Sequence, residues 1–293
     1  MKSGFVSIVG RPNVGKSTLM NLVIGKKVAI VSEKPQTTRH RIQGIYTDDD
    51  LGQIIFVDTP GIHKPKHLLG EYMVNVSTRT LDEVDIIYYM TDVTKPFGAG
   101  ERYIIEHLKE AKVPVFLLIN KIDLVNEEVV NKYILDFTNN MSFAEIIPMS
   151  AALGTNIPEL LSKTFNYLPV GPFYYPADDY TDQPVSFIVA ELIREKVLTL
   201  TRDEVPHSIA VEIEEFKNRD TNKIYIRAVI YTERDSQKGI IIGKNGQMLK
   251  NIGEEARKDI EVLLEAPVYL DLWVKVKKNW RDSEQNLKQF GFR

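Results

Sequence analysis

The stretch GRPNVGKST, residues 10–18, has two glycines, a lysine and a hydroxyl side chain at the spacing G-x-x-x-x-G-K-[ST]. It stands between a β-rich run and the helical pattern STLMNLVIG, the context in which this motif cradles phosphates. Glycines let backbone amides approach phosphate oxygens, Lys16 can reach the β- and γ-phosphates, and Ser17 can supply a hydroxyl to Mg²⁺. The residues of this predicted nucleotide site are Gly10, Asn13, Val14, Gly15, Lys16, Ser17 and Thr18.

A second run, FVDTPG, places Asp58 and Gly61 directly after another β-rich stretch. Asp58 can hold Mg²⁺ through a water molecule, and the backbone amide of Gly61 can sense a γ-phosphate. Because this run follows a phosphate loop, it predicts a magnesium-dependent site that responds to the γ-phosphate.

Two later runs indicate which base is bound. In LINKID, the carboxylate of Asp123 can accept two hydrogen bonds from N1 and the exocyclic amine of guanine, which adenine cannot offer. In PMSAALG, the region of Ser150 and Ala151 can donate a backbone amide to guanine O6. The predicted base site consists of Asn120, Lys121, Asp123, Ser150 and Ala151. An ATPase or kinase with a phosphate loop is the competing enzyme class, and Asp123 argues against it.

The elements that must position these motifs lie between residue 1 and about residue 170. Apolar runs alternate there with helical stretches: GFVSIVG, QIIFVDTPG, VDIIYYMTD, VPVFLLINK and EIIPMSA. This pattern indicates an α/β fold with a mostly parallel sheet buried on both faces, whose ligands bind at the carboxyl ends of the strands. The motifs stand at those ends. We therefore predict a GTPase domain over residues 1–174.

The pattern changes after PVGPFYYPADDYTDQP, which is rich in Pro, Asp and aromatic residues and predicts a linker over residues 175–185. Residues 186–293 then predict the order helix, strand, strand, glycine loop, helix, strand, helix. VYLDLWVKVKK alternates strictly, and Met248, Leu249, Ile252, Ala256, Ile260 and Leu263 recur at helical spacing. This part is predicted to be a small α+β domain.

A second glycine loop lies in KGIIIGKNGQML, where Gly243, Lys244, Asn245 and Gly246 precede an amphipathic helix. The spacing G-x-x-G alone is an ordinary turn in many chains. In an α+β domain with a lysine in the loop, it also matches the loop with which a KH domain clamps about four single-stranded nucleotides. A basic cluster near the C-terminus extends the predicted RNA-binding set with Lys275, Lys277, Lys278 and Arg281, and a solvated charged face is the alternative interpretation of this cluster.

Composition sets the class of protein. The 293 residues exceed the usual length of one domain, there are no cysteines, and the net charge is −3. No run approaches about 20 apolar residues, and MKSGFVSIVG has no cleavage site, so we expect a cytoplasmic protein. A third hypothesis is an interaction protein that docks on a membrane surface or a partner through its basic C-terminal face.

The nucleotide motifs, in this order, resemble the translation-factor-like class of GTPases. Together with QTTRHR, GPFYYP, TDQP, IIGKNG and VKVKKNWRDSE, they resemble the Era family of bacterial GTPases over essentially the whole chain. The resemblance implies a P-loop GTPase domain followed by a type II KH domain. It also implies GTP and GDP with Mg²⁺ as ligands, the 3′ end of small-subunit ribosomal RNA as partner, and a role in assembly of the small ribosomal subunit.

The resemblance adds residue roles. A first-switch threonine completes the magnesium shell in such proteins, and of Thr37 and Thr38 we favour Thr38, so that the predicted Mg²⁺ ligands are Ser17, Thr38 and Asp58. Lys16, Thr38 and Gly61 form the predicted catalytic set. The nucleotide state of residues around 32–45 and 58–75 is expected to govern how the KH domain presents its RNA groove. A monomer in the cytoplasm, with peripheral association to the inner face of the cell membrane, is also expected.

One departure from small signalling GTPases affects the mechanism. The residue after Gly61 is Ile62, where those enzymes have a glutamine that orients the attacking water. Several GTPases with an apolar residue there resemble this chain at Asn13 and use that asparagine to hold K⁺ beside the phosphates. A simple loop-forming role for Asn13 is the alternative. His63 could contact water, but an exposed histidine without a catalytic role is the simpler interpretation.

Overall fold

The computed structural model describes residues 1–32, 34, 37, 39–58, 68, 69, 71, 83–201, 205, 208–219 and 223–292. The chain divides into two compact units. The first comprises Met1–Ala29, Thr38–Lys64 and Met73–Asp182, and the second comprises Ile30–Thr37, Pro65–Tyr72 and Gln183–Arg293.

The first unit is an α/β layer structure. Its elements in chain order are β1 Lys2–Val9, α1 Lys16–Ile24, β2 Ile42–Asp48, β3 Gly52–Asp58, β4 Ile86–Asp92, α2 Ala99–Leu108, β5 Val115–Asn120, α3 Glu127–Thr138, β6 Glu145–Pro148 and α4 Ile157–Tyr167. The strands form one sheet in the order β2-β3-β1-β4-β5-β6. All neighbours are parallel except β2, which runs antiparallel to β3 at the edge. The predicted α/β fold is confirmed.

The centre of this sheet is covered on both faces. Every residue of β3, β4 and β5 is buried, as expected for parallel strands between two layers of helices. On one face, Tyr89 packs against Phe137 of α3. On the other face, Tyr88 hydrogen-bonds to Thr164 of α4 and stacks on Phe116. The buried strands thus form a rigid platform for the loops at their carboxyl ends.

The segment after Tyr167 is bound to the sheet edge. Gln53 Oε1 accepts hydrogen bonds from the backbone amides of Tyr174 and Tyr175, at 2.9 and 3.0 Å. Farther along, the backbone amide of Ile45 donates to Tyr180 O at 3.0 Å. One side of an edge strand has backbone groups that no neighbouring strand can pair with. This segment supplies hydrogen-bond partners for some of those groups. The first unit therefore extends to Asp182, past the predicted domain end at residue 174.

The second unit contains a smaller sheet with helices. Its elements are α5 Val185–Leu200, β7 Ala210–Arg219, β8 Lys223–Thr232, α6 Asp235–Ile242, α7 Gln247–Leu264, β9 Val268–Val276 and α8 Glu284–Gln289. β8 pairs antiparallel with β7 and parallel with β9, in the strand order β7-β8-β9. Ile252, Ala256 and Ile260 of α7 are fully buried, so the middle of the predicted stripe faces the core. Met248, Leu249 and Leu263, at the two ends of the stripe, are half-buried. The α+β class is as predicted, but the order differs by one element: the helix α6 stands between β8 and the glycine loop, where no helix was predicted. Its three consecutive isoleucines, Ile240–Ile242, give no helical period in the sequence.

Residues 30–37 also belong to the second unit. The backbone amide of Val31 donates to Glu195 Oε1 of α5 at 2.9 Å. Lys34 Nζ donates to the carbonyl of Thr201, the residue that caps α5, at 2.7 Å. This segment, which we call the first-switch segment, is thus held by hydrogen bonds to α5 and its cap.

Candidate nucleotide site and nucleic-acid interface

The predicted nucleotide motifs meet at one edge of the larger sheet. β1, β3, β4 and β5 end at Val9, Asp58, Asp92 and Asn120, and these strands are consecutive neighbours in parallel. The loops that follow parallel strands lie at their carboxyl ends, which is where ligands bind in open α/β sheets. The fold therefore brings together motifs that stand more than one hundred residues apart in the chain.

The phosphate loop has the backbone that its residues require. Gly15 has φ of 110°, and a β-carbon there would lie 2.3 Å from Asn120 Nδ2, so only glycine fits beside the base motif. Asn13 has φ of 67°, in the left-handed region that asparagine tolerates better than most residues. α1 begins at Lys16, and the partial positive charge at the N-terminal end of a helix favours an anion there.

Lys16 is buried within this loop, and its position is fixed by backbone carbonyls. Lys16 Nζ donates to the carbonyl oxygens of Gly10 and Arg11, at 3.1 and 3.0 Å. Burial lowers the pKa of the Lys16 amine, and the charge of Asp58 acts in the opposite direction. An amine held in this way is aimed before any phosphate arrives, which reduces the reorganisation that binding requires.

Ser17 and Asp58 supply the oxygen atoms expected for Mg²⁺. Ser17 Oγ donates to Asp58 Oδ2 at 2.8 Å, and Asp58 is fully buried at the end of β3. A hydroxyl and a carboxylate beside a phosphate site are the ligands that Mg²⁺ prefers. The donor set present therefore fits the metal. Thr38 and Gly61, together with Ile62 and His63, lie outside the described residues.

Thr37, the alternative magnesium ligand, is described. Its Oγ1 donates to the carbonyl oxygens of Lys34 and Ser32, at 2.6 and 3.4 Å. In this structure the Thr37 hydroxyl thus takes part in the turn of its own segment. The preference for Thr38 stays a prediction.

Asn120 joins the phosphate loop to the base loops. Its Nδ2 donates to Val14 O at 2.7 Å, and its Oδ1 accepts from the backbone amide of Ala151 at 2.9 Å. Both contacts are buried, where an unmade hydrogen bond is costly. One side chain therefore sets the spacing between the phosphate-binding and base-binding parts of the site.

The side chain of Lys121 is held by an ion pair with Asp92. Lys121 has φ of 67°, and its Nζ lies 2.6 Å from Asp92 Oδ2. Burial alone would raise the pKa of Asp92, but hydrogen bonds from Lys121 and Thr94 outweigh it and hold that pKa below its usual value. Asp92, the last residue of β4, was not predicted as a neighbour of the site, because its contact with Lys121 joins the ends of two different strands.

The remaining base-site residues lie where their predicted roles need them. Asp123 is exposed in the 3₁₀ turn Ile122–Leu124, which directly follows the Asn-Lys pair. Ser150 is buried, and its hydroxyl accepts from the backbone amide of Leu153 at 3.2 Å, which shapes the loop that carries the Ala151 amide. Because the loops are fixed and the Asp123 carboxylate is open to solvent, the arrangement can receive a base edge.

The second glycine loop connects α6 to α7. Gly243 has φ of 72°, and a β-carbon there would lie 2.6 Å from Met248 Cβ, so the tight entry into α7 requires glycine. Asn245 has φ of 53° within the short 3₁₀ segment Lys244–Gly246. Lys244 and Asn245 are both exposed at the tip. This geometry leaves the loop's backbone and its lysine open to a phosphate backbone.

A groove of about 350 Å³ adjoins this loop between α7 and β9. Its lining residues are Gly246, Leu249, Lys250, Gly253, Glu254, Arg257, Leu270 and Leu272. The leucines can contact bases, and Lys250 and Arg257 bring positive charge for phosphates. Each cation lies beside a glutamate of the same helix: Lys250 Nζ is 3.9 Å from Glu254 Oε1, and an Arg257 guanidinium nitrogen is 3.3 Å from Glu261 Oε1. Lys250 and Arg257 were not among the RNA-binding residues predicted from the sequence. Their spacing of seven places both on one helix face after the glycine loop, and that signal could have found them.

The basic cluster predicted near the C-terminus is engaged in internal contacts. Lys275 Nζ lies 2.8 Å from Glu214 Oε1, and Arg281 Nε donates to Glu233 Oε2 at 3.0 Å. Lys277 donates to Gln289 Oε1, and Lys278 is exposed. These four residues are not among the lining residues of the groove. Their role in RNA binding stays a prediction, distinct from that of the glycine loop.

Comparisons with known proteins agree with this division into two sites. A family model described as "50S ribosome-binding GTPase" matches residues 5–121, and a model described as "KH domain" matches residues 204–281. A variant of Era from Aquifex aeolicus, solved with GDP and AlF₄⁻, is 43% identical to this chain in sequence. The match covers 100% of this chain and 99% of the Aquifex chain, and the TM-score is 0.96.

A second solved structure matches with the same values. It is Era in complex with MgGDPNP and nucleotides 1506–1542 of 16S ribosomal RNA, again at 43% identity, 100% and 99% coverage, and a TM-score of 0.96. Both similarities span the nucleotide site and the groove.

Proposed function

Because the chain belongs to the Era family of GTPases, we propose that it is a GTP-hydrolysing switch whose KH domain binds the 3′ region of small-subunit ribosomal RNA during assembly of the small ribosomal subunit. The observation that carries this proposal is the presence of two formed sites in one chain. One is the nucleotide site joined by Asn120, and the other is the groove beside the second glycine loop.

Hydrolysis depends on positioning and charge stabilisation rather than on a covalent intermediate. Lys16 is aimed at the phosphates by two carbonyls, and Asp123 reads guanine. Ser17, Asp58 and Thr38 would hold Mg²⁺, which neutralises charge on the β- and γ-phosphates when bound. The Gly61 amide would contact the γ-phosphate. Such sites hydrolyse GTP slowly without assistance.

We also propose K⁺ as a cofactor, held by Asn13. Ile62 can neither donate nor accept a hydrogen bond through its side chain, so it cannot orient water as a glutamine does. A monovalent cation beside the phosphates would supply the charge that an arginine finger gives in other GTPases. The left-handed backbone at Asn13 is compatible with a loop-forming role as well as with a potassium ligand, and the salt dependence of hydrolysis distinguishes the two.

The RNA proposal assigns the groove to single-stranded RNA. Era in one solved complex binds nucleotides 1506–1542 of 16S ribosomal RNA, and this chain matches that protein over its full length. The exposed glycine loop would receive the phosphate backbone, and the leucine-lined floor would contact bases. The small ribosomal subunit is the partner that this RNA implies.

The first-switch segment supports a coupling between nucleotide and RNA. It immediately precedes Thr38, and its hydrogen bonds to α5 and the α5 cap lie within the second unit. A change of Thr38 between GTP and GDP would therefore act on residues bonded to the KH domain's first helix. In this proposal, the nucleotide state of residues around 32–45 and 58–75 governs how the groove is presented.

The proposed location is the cytoplasm, as a monomer, with peripheral association to the inner face of the cell membrane. In the part of the chain that the structure describes, no helix is long and apolar enough to cross a membrane. Peripheral association is tested by flotation with anionic vesicles, and a chain that stays with the soluble fraction contradicts it.

Two measurements on the full chain test the proposed function. The first compares phosphate release from GTP with phosphate release from ATP, and it tests the proposed GTPase activity. The second measures binding to a single-stranded RNA that matches the 3′ end of small-subunit ribosomal RNA, and it tests the proposed RNA partner. A scrambled RNA of equal composition is the control. We expect the chain to hydrolyse GTP but not ATP, and to bind the matching RNA strand more tightly than the scrambled one. Equal use of ATP, or equal binding of both strands, would contradict the proposal.

A further inference from the structure

A buried carboxylate lies behind the phosphate loop and has no role in the mechanism above. Glu101, in the first turn of α2, is 2% exposed. Tyr89 of β4 donates a hydrogen bond to Glu101 Oε2, and the guanidinium of Arg11 lies 3.6 Å from Oε1. Since carboxylates are rarely buried without a specific partner, this placement calls for a reason beyond packing.

The side chain of Arg11 lies across the first turn of α2. A β-carbon on Gly100 would lie 3.1 Å from Arg11 Nε, so the absence of a side chain at Gly100 admits the arginine. The N-terminal end of a helix carries partial positive charge and disfavours a guanidinium. Glu101 in the same turn supplies the opposing charge and fixes the arginine there.

Arg11 connects this contact to the chemistry through its backbone. Its carbonyl oxygen accepts a hydrogen bond from Lys16 Nζ at 3.0 Å, beside the one that Gly10 accepts at 3.1 Å. The residue whose side chain is fixed by Glu101 therefore also aims the amine that meets the phosphates. A short chain of contacts runs from Glu101 through Arg11 to Lys16.

We propose that Glu101 is a positioning residue for GTP hydrolysis, because it fixes Arg11 and thereby the carbonyl that aims Lys16. Burial raises the pKa of Glu101, while the hydrogen bond from Tyr89 and the charge of Arg11 act in the opposite direction by favouring the carboxylate. In this role Glu101 acts through the phosphate loop, by way of Arg11, and not by direct contact with nucleotide or metal. The inference rests on the proposed GTPase function.

Glu101→Gln in the full chain tests this role, since the amide keeps the size of the side chain and removes its charge. We expect kcat for GTP to fall about tenfold, because a misplaced Lys16 costs most in the transition state. KM should stay within about twofold, because the loop amides and the guanine contacts that bind the ground state remain. Arg11→Gln, at a half-exposed side chain, tests the same contact if Glu101→Gln does not fold.

Tyr89→Phe is the matched control. It removes the other hydrogen bond to Glu101 and leaves the contact with Arg11, so it should lower the unfolding temperature but keep kcat near that of the wild type. The double variant Arg11→Gln/Glu101→Gln should be no slower than either single variant, because both changes break one contact.

Three results would overturn the inference: a wild-type kcat for Glu101→Gln, an equal loss of kcat for Tyr89→Phe, or additive losses in the double variant. A wild-type chain that releases no phosphate from GTP in the same assay contradicts the proposed function itself, and the inference with it. The rate of GTP hydrolysis by the wild type therefore distinguishes a failure of the proposed function from a failure of the role proposed for Glu101.

Discussion

Asn120 shows how much one side chain contributes to the nucleotide site. The motif NKID identifies it as part of the base site, and the structure adds that its amide bonds to Val14 on one side and Ala151 on the other. The motif spacing predicts the members of the site because strand ends converge in an α/β fold. It cannot predict Asp92 or Glu101, because their roles depend on neighbours from distant strands and helices.

Base selection is predicted to depend on Asp123. Asp123→Asn should weaken GTP binding and improve binding of xanthosine triphosphate, because the amide can donate to the oxygen that replaces the guanine amine. Competition of both nucleotides for the site measures the change. A variant that binds GTP as well as the wild type does would remove Asp123 from the base site.

The potassium proposal makes a prediction about salts. Hydrolysis by the wild type should be faster in potassium than in sodium chloride at equal ionic strength, and Asn13→Ala should remove the difference. Phosphate release measured in both salts checks this. Equal wild-type rates leave Asn13 as a loop-forming residue.

At the scale of elements, the segment after α4 differs most from expectation. Its Pro, Asp and aromatic residues predicted a linker from residue 175, yet residues 174–182 follow the sheet edge by hydrogen bonds. The buried strands were predictable because each is a continuous apolar run. The bound segment could not be predicted in this way. Its contacts are to backbone groups of β2 and to the buried side-chain amide of Gln53, and such contacts produce no periodic pattern in the sequence.

Gln53 is predicted to hold this segment to the sheet. Gln53→Ala removes the acceptor for the amides of Tyr174 and Tyr175. It also removes two hydrogen bonds that Gln53 Nε2 donates, to Tyr175 O and to Thr47 Oγ1, both at 3.0 Å. At about 1 kcal/mol for each of these hydrogen bonds, the free energy of unfolding should fall by about 3–4 kcal/mol. Urea unfolding measures it. Tyr175→Phe, which loses a single side-chain hydrogen bond to Gln43, is the control and should cost about 1 kcal/mol.

Basic residues of the helix α7 and of the strand β9 are predicted to contribute differently to RNA binding. Lys250→Ala with Arg257→Ala removes both positive charges from the groove lining and should lower RNA affinity and reduce the salt slope by about 1 to 2. Lys275→Ala should change affinity less, because Lys275 does not line the groove. Binding measured at several salt concentrations compares them. A larger effect of Lys275→Ala would move the RNA contact to the C-terminal cluster.

At the scale of the whole molecule, the chain has two glycine loops, for which we propose two different phosphate ligands. One precedes α1 in the first unit and holds a buried lysine, and the other precedes α7 in the second unit and exposes its lysine. A buried lysine suits one small ligand in a fixed pose, whereas an exposed lysine suits a polymer that passes over the surface. The two loops should therefore be separable by mutation.

The most direct test is Lys244→Asp with Asn245→Asp in the full chain. Both glycines remain, and aspartate tolerates the left-handed backbone of Asn245, so the turn should survive. Two negative charges where the RNA backbone approaches should lower affinity for the matching RNA strand at least about tenfold, while GTP affinity stays within about twofold. Lys16→Ala should do the reverse. Wild-type RNA affinity and salt slope in the double-aspartate variant would contradict the account.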